Sequence, residues 1–563
     1  MRNLETRIGN PLEKELLFVP LGGTEEIGMN FNLYGLGAPE KHDWLIIDMG
    51  ITFGDDSTPG VEVIVPDPSF IAERREKLLG IILTHGHEDH LGAVPYLWDR
   101  LRCPIYATPF TAELLREKLK VNGSLSEIEI LEVPLRGHFT VGPFSLELIT
   151  LTHSMPEPNA IVIRTPLGSI FHTGDWKFDP EPVVGNVSDE AALAALGDEG
   201  VLACIGDSTN IFVEGNSGSE SSLLENMTKL IGKSTGKVAV TCFASNVARI
   251  KTIFNAATAN DRAVALVGRS LWRINSAARK TGYLVDLPPF LEAAEAKHIP
   301  SNEILYICTG SQGEPRAALS SIASGNNREV TFGQGDTVIF SSRIIPGNEL
   351  SIGRLQNKLI QIGVDVISEH NEYIHVSGHP AREELIKMYQ LIRPQIAIPV
   401  HGEPRHLVKH VALAKDCQVP ETVLVKNGST VKLGPGPATI IDEVSVGRFS
   451  AEGTRLHRLT GKVVKDRSRI IYNGVVVLTL ILDKKGGIVG LPKLTTHALM
   501  NDDEVTYIVE ILTDKIKEAF KALSPGKLRD DDVVQETARI TVRKSLRETH
   551  AKRPLVTVHI VRI

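Results

Sequence analysis

Short apolar runs set the rhythm of the first part of the chain. "LLFVPLGG", "WLIIDMG", "GIILTH", "PIYATP", "FSLELITLTH", "NAIVIRT" and "VLACIGDS" each stop at Gly, Pro, His or Asp, which predicts strands closed by tight turns. "IAERREKL" and "TAELLREKLK" carry helical spacing between them. Many strands with interspersed helices predict layered sheets covered by helices. From about residue 220 helix and strand alternate, as in "SLLENMTKLIGKS", "KVAVTCF", "VARIKTIFNAATAN", "AVALVG" and "EILYICTG". That alternation predicts a parallel α/β domain. After "AREELIKMYQLIRPQ" and "IAIPVHGEP" the chain returns to strand and turn. Residues 447–460, in the polar stretch "DEVSVGRFSAEGTRLHRLT", read as a linker. Residues 461–563 mix strands ("GVVVLTLIL", "PLVTVHIV") with two helices, a small α+β module. There is no internal repeat and no low-complexity tract.

A length of 563 residues exceeds a single hydrophobic core, so several domains are expected. The net charge of -7 argues against a molecule coated in basic charge but permits a local basic groove. The five cysteines are scattered and form no CxxC pair, which reads as small buried hydrophobes rather than a disulfide framework or a thiolate zinc site. The N-terminus "MRNLETRIGNPLEKEL" has no apolar signal core, and no run of about 18 apolar residues occurs, so a cytoplasmic protein is the expectation.

The chemistry gathers in "THGHEDH" (84–90), directly behind the run "GIIL". A tight turn at a strand end can converge His85, His87, Asp89 and His90 on one point. Imidazole and carboxylate together suit zinc, with manganese second. Four such groups in six residues can serve two ions only if other segments complete the shells. Candidates end other apolar runs: Asp48, His153, Asp175 and His401. Ligands at successive strand ends line one edge of a sheet, where a rigid site is built.

This series resembles the metallo-β-lactamase superfamily. "GDSTN" (206–210), "SE" (219–220), "FASNVARI" (243–250), "LVGRS" (266–270), "TGSQGEP" (309–315), "HVSGH" (375–379) and "PVHGEPRH" (399–406) narrow the resemblance to its β-CASP group of nucleic-acid nucleases, and within that to the bacterial ribonuclease J family. The N-terminal "LGGTEEIGMN" also fits. The resemblance implies an αββα sandwich in two parts, residues 1–209 and 370–446, with a β-CASP domain inserted at 210–369 and a C-terminal α+β domain. It implies two zinc ions, or manganese or magnesium in their place. His85, His87 and His153 would hold one, Asp89, His90 and His401 the other, and Asp175 would bridge them. Asp48 would orient a ligand or the attacking water.

It further implies a metal-activated hydroxide attacking the phosphorus in line, leaving a 5′-phosphate. His379 would be the general acid, with Glu220 holding and polarising its ring. His375 and Ser377 would donate to the phosphate. In the insert, "GRS", "TGSQGEP" and "SSRIIPGNE" are turns suited to phosphate, which makes Arg269, Ser270, Ser311 and Arg343 expected RNA contacts. The implied activity is RNA maturation and mRNA decay, by 5′-to-3′ exonuclease action preferring 5′-monophosphate ends with endonuclease action besides. The implied partners are single-stranded RNA, a homodimer or homotetramer involving the C-terminal domain, and RNA-degradation proteins, with no membrane. The basic stretch "RKSLRETHAKR" (543–553) reads as a helical, solvated or dimer-facing surface. Two other classes were weighed. A lactamase-fold hydrolase of small esters, thioesters or lactams would not need the large insert. A non-catalytic RNA-binding subunit would have lost ligands that are all present here.

Overall fold

The computed structural model describes residues 14–123 and 127–563, so the polar stretch 1–13 lies outside the described residues. The chain divides into two units: residues up to 52 together with 65–447, and 53–64 together with 448–563.

The first unit holds two sheets packed face to face. One has eight strands and runs through Ser429–Gly434, Glu15–Gly22, Phe31–Gly37, Asp43–Ile47 and Leu78–Ile82. The other has seven and runs through Ile396–Val400, Ala203–Asp207, Gly168–His172, Asn159–Thr165 and Phe144–Thr150. Phe18, Tyr34, Leu45 and Ile47 from the first meet Leu146, Leu148, Ile161, Ile205 and Ile398 from the second in one buried cluster. The outer face of the second sheet (Val162, Phe171, Ala397) is covered by Glu190–Glu199, Arg382–Ile392 and Pro404–Asp416, through Leu193, Leu196, Met388, Ile392 and Leu413. These are the layered sheets covered by helices that the short apolar runs predicted, arranged as the sandwich that the resemblance implied.

A third sheet has six strands, all parallel: Leu291–Glu292, Ala263–Val267, Ile304–Cys308, Val238–Thr241, Thr337–Phe340 and Asp365–Ser368. Its central strands are buried throughout, because helices cover both faces. The chain leaves the sandwich after Ala203–Asp207 and returns through Ile396–Val400. Those two strands pair in parallel, with Asp207 opposite Val400.

Register explains the site. Ile47 pairs with Ile82, so Asp48 and the "THGHEDH" turn leave adjacent strand ends. His172 pairs with Ile205, and Asp207 with Val400, so Asp175, Asp207 and His401 leave the other sheet side by side. These pairings are all parallel, so the carboxyl ends share one edge of each sheet.

In the second unit, Lys493–His497, Val475–Leu482 and Leu555–Arg562 form a three-stranded sheet. Its Val476, Leu478, Leu480 and Val558 pack against Leu512, Ile516, Val542 and Leu546 of the helices Asp502–Lys521 and Asp531–His550. The expectation of two helices here is corrected by a third, Lys462–Asn473. The linker reading of 447–460 is corrected as well. Arg448–Glu452 and Arg455–Arg458 form a hairpin, closed by a two-residue turn with Gly453 at φ 59°. Phe449, Ser450 and Ala451 are all buried along it, between the charged ends Arg448 and Glu452 that obscure it in composition. Residues 53–64, expected within the sandwich, belong to this second unit.

Candidate metal centre

Six side chains from three other segments converge on Asp175. The ligand atoms of His85, His87, His153 and Asp175 lie within 4.8 Å of one another, and so do those of Asp89, His90, Asp175 and His401. His85 Nε2 and His153 Nε2 stand 3.0 and 3.1 Å from His87 Nδ1. Asp175 Oδ2 is 3.2 Å from His90 Nε2 and 3.8 Å from His85 Nε2, and Asp175 Oδ1 is 3.6 Å from His401 Nε2. The cluster is dry at its base and open at one side: His85, Asp175 and His401 have side chains only 0–3% exposed, and Asp89 is 31% exposed.

The donor set fits two divalent cations. Asp175 Oδ1 and His401 Nε2 are buried inside it without a hydrogen-bond partner, the one an acceptor and the other a ring nitrogen aimed at it. Orphaned buried polar atoms are costly, and an ion between them removes the cost. Burial holds His85 and His153 well below the ordinary imidazole range and His87 down to about 4, so these rings are neutral and offer lone pairs. Burial opposes charge on His90 too, but Asp175, Asp89 and Asp48 outweigh it and push that ring up; cations in the cluster would reverse this.

Hydrogen bonds behind the cluster fix which nitrogen faces inward. Asp48, in a left-handed conformation at φ 63°, accepts from Thr84 N (2.8 Å) and Thr84 Oγ1 (2.8 Å). Its Oδ2 lies 2.6 Å from His90 Nδ1, which turns His90 Nε2 toward Asp175. Thr84 Oγ1, already donating to Asp48, is 3.0 Å from His85 Nδ1 and accepts from it. His153 Nδ1 donates to the Gly378 carbonyl at 2.5 Å. The Asn30 amide sits against His401 Nδ1 at 2.8 Å.

Gly378 ties the "HVSGH" loop to the cluster, because a Cβ there would stand 2.7 Å from His153 Cε1. Gly378→Ala is therefore expected to push His153 off its axis. Metal affinity should fall by roughly 10- to 100-fold, as when a ligand's orienting partner is lost. Titration of zinc into the apoprotein measures it, and unchanged affinity refutes the contact.

His379 borders both clusters. Its Nδ1 is 2.8 Å from Asp207 Oδ2 and 3.9 Å from Asp175 Oδ2. Burial disfavours its charge, but Asp207 and Asp175 win and raise it to about 9. The side chain is 22% exposed, so the imidazolium reaches solvent while its carboxylate does not. Asp207 is itself braced by Thr209 N and Oγ1 at 2.8 and 2.7 Å.

Comparison with known proteins comes to a decision here. The model of the metallo-β-lactamase superfamily matches residues 40–230, that of the ribonuclease J β-CASP domain 235–359, that of a Zn-dependent metallo-hydrolase RNA specificity domain 363–423, and that of the ribonuclease J C-terminal domain 462–563. The ribonuclease J of Sinorhizobium meliloti is 43% identical over 98% of both chains. That of Mycolicibacterium smegmatis is 36% identical over 96% of both. The chain belongs to the ribonuclease J family. A crystal structure of an Enterococcus faecalis protein of unknown function shares the fold over 74% of this chain, at 16% identity and a TM-score of 0.52.

Against the ribonuclease J pattern one pairing needs correction. Glu220 does not hold His379. Its carboxylate grips the Arg249 guanidinium at 2.5 and 3.0 Å, deep in the insert, and Asp207 takes the histidine instead. The parallel strand end delivers Asp207 there, and sequence reasoning passed over it inside "GDSTN".

Other expected residues are dispersed. Ser377 Oγ accepts from Asn210 Nδ2 at 2.7 Å, and Asn210 Oδ1 accepts from Arg343 Nη1 at 3.0 Å, so Arg343 is tied to the loop beside His379. His375 Nδ1 is 3.3 Å from Arg249. Arg269 is exposed and Ser270 half-buried at the start of Arg269–Lys280. Ser311 departs from the expectation: its side chain turns inward, 2% exposed, into a small hollow with Ser342 and Gln356, and so is withdrawn from the RNA contacts. Among the described residues, no helix is long and apolar enough to cross a membrane.

Proposed function

We propose that the chain is a metal-dependent ribonuclease acting in the cytoplasm on single-stranded RNA. It works from 5′ ends with a preference for a 5′-monophosphate and also cuts internally. The observation that carries this reading is the convergence of six side chains on Asp175, with an Asp207–His379 pair at its edge. His85, His87 and His153 would hold one ion and Asp89, His90 and His401 the other, with Asp175 available to both. The imidazole–carboxylate donor set favours zinc, with manganese or magnesium as substitutes. When bound, the ions supply positive charge at the phosphate and a water acidic enough to ionise near neutrality.

The remaining work falls to the chain's own residues. Asp48 and Thr84 keep His85 and His90 aimed. Asp207 anchors His379 through Nδ1, which leaves Nε2–H as the proton source for the departing 3′-oxygen. Proton transfer there yields a 3′-hydroxyl on one product, and the other carries the 5′-phosphate. His375 and Ser377 donate to the phosphate, and Arg269, Ser270 and Arg343 follow the strand.

The same reading divides the chain into a sandwich of residues up to 209, without 53–64, and 370–446, an insert of 210–369, and 461–563 as the C-terminal domain. It includes assembly as a homodimer or homotetramer through that last domain and contact with other RNA-degradation proteins. Sedimentation of the intact protein measures the assembly.

A time course on 5′-labelled RNA, prepared as monophosphate or triphosphate, tests the activity. Labelled mononucleotide should appear at once from the monophosphate form, with internal fragments accumulating from both. Equal release from both forms removes the end preference. No cleavage by a fully metallated protein overturns the ribonuclease reading.

A further inference from the structure

The two histidines of "HVSGH" have opposite neighbours at the same ring atom. His379 Nδ1 faces a carboxylate, Asp207 Oδ2, at 2.8 Å. His375 Nδ1 faces a guanidinium, Arg249 Nη1, at 3.3 Å. A guanidinium has donors and no acceptor. The guanidinium facing Nδ1 cannot take a ring N–H, which places the ring proton on Nε2.

Arg249 has no freedom to do otherwise. It is fully buried, and its other contacts hold it in place: Glu220 takes Nε and Nη2, while Ser341 O, Ser341 Oγ and Ile374 O take Nη1 at 2.8, 2.7 and 3.3 Å. Glu220 is fixed in turn, since its backbone N–H donates to Asp179 Oδ2 at 2.9 Å, and Asp179 pairs with the buried Lys177 at 3.0 Å. Burial, then the charges of Arg249, Arg343 and Lys177, hold His375 well below the ordinary imidazole range.

We propose that Arg249, clamped by Glu220, is a positioning residue that locks His375 as the neutral Nε2–H tautomer. One loop thereby carries a fixed Nε2–H donor beside a histidine anchored on a carboxylate, and the two cannot exchange partners. His379 supplies the proton; His375 can only hold a phosphate oxygen. The motif needs two different histidines because their Nδ1 atoms meet different partners.

This inference rests on the ribonuclease reading for its kinetic test but not for its spectroscopic one. Arg249→Lys is expected to lower kcat about tenfold or more, in the range found when the partner orienting a functional histidine is lost, with bound zinc unchanged. The same change made in a His375→Gln background, where the amide donor has no tautomers, should cost under about threefold. Equal losses in both backgrounds would mean that Arg249 is merely structural and would overturn the proposal. Where Arg249→Lys fails to fold, Glu220→Gln serves in the same cycle. Independently, the nitrogen resonances of His375 in the zinc-loaded protein, identified by their loss in His375→Gln, should show an unprotonated Nδ1. A protonated Nδ1 overturns the proposal whether or not RNA is cut. A wild-type protein that cuts no RNA yet shows the unprotonated Nδ1 sinks the ribonuclease reading alone.

Discussion

Asp175→Asn is expected to abolish RNA cleavage, with a loss of at least about 10³-fold in kcat, because the divalent charge it anchors contributes several kcal/mol at the transition state. Among the described residues Asp175 is the one shared by both ligand groups, its Oδ2 3.8 Å from His85 and 3.2 Å from His90. Asparagine keeps the shape and hydrogen-bonding size but brings an NH₂ where a lone pair is required. It also removes the negative charge that lets neighbouring cations approach one another. Metal content measured by mass spectrometry should drop from two ions toward one or none. The melting temperature of the apoprotein should change far less, since asparagine keeps the size and packing of the side chain. Cleavage at the wild-type rate would sink the two-ion assignment. Loss of cleavage with both ions retained would instead move Asp175 from ligand to proton carrier.

Asp207→Asn should lower kcat by roughly 10²- to 10⁴-fold, the range for a lost general acid, while both ions stay bound. The carboxylate accepts from His379 Nδ1 and holds the ring as a cation at about 9. The sign follows from that raised value. The proton is present below about 9 and lost above it, so the acid limb of catalysis should fade as pH rises through that region. Cations in the adjacent clusters repel the imidazolium and move the limb downward. His379→Ala should show the same loss without the pH limb. A substrate with sulfur in place of the bridging 3′-oxygen separates this role from a structural one, because a thiolate leaves without a proton. That substrate should restore both variants close to the wild-type rate, and the normal substrate should not. If sulfur gives no rescue, His379 is not the acid. If Asp207→Asn strips metal, Asp207 belongs to the ligand set.

How much of this was legible in the chain depended on distance along it. "THGHEDH" declares itself because four donors lie within one turn of backbone. His153, Asp175 and His401 were legible because each ends an apolar run, and strand ends share an edge. The partner of His379 was not legible. Asp207 and Glu220 are both acids near the start of the insert, 172 and 159 residues before it, and nothing in their spacing chooses between them. The choice is made by a parallel register, Asp207 opposite Val400, that only the folded sheet reveals. Arg249 looked like an ordinary helix residue, since a fully buried arginine cannot be told from a solvated one by type. The hairpin at 448–458 was lost to its charges, although Gly453 marked the turn.

The interrupted sandwich has a consequence for synthesis. Ala203–Asp207 and Ile396–Val400 are neighbours in space, yet the ribosome makes them nearly two hundred residues apart. Until the second of them emerges, His401 is missing, and so is the strand that seats it. The nascent chain, tethered to the message that encodes it, holds an incomplete cutting centre for most of its translation. Splitting the sandwich around its insert thus delays completion of the centre until residue 401 of 563 has been made.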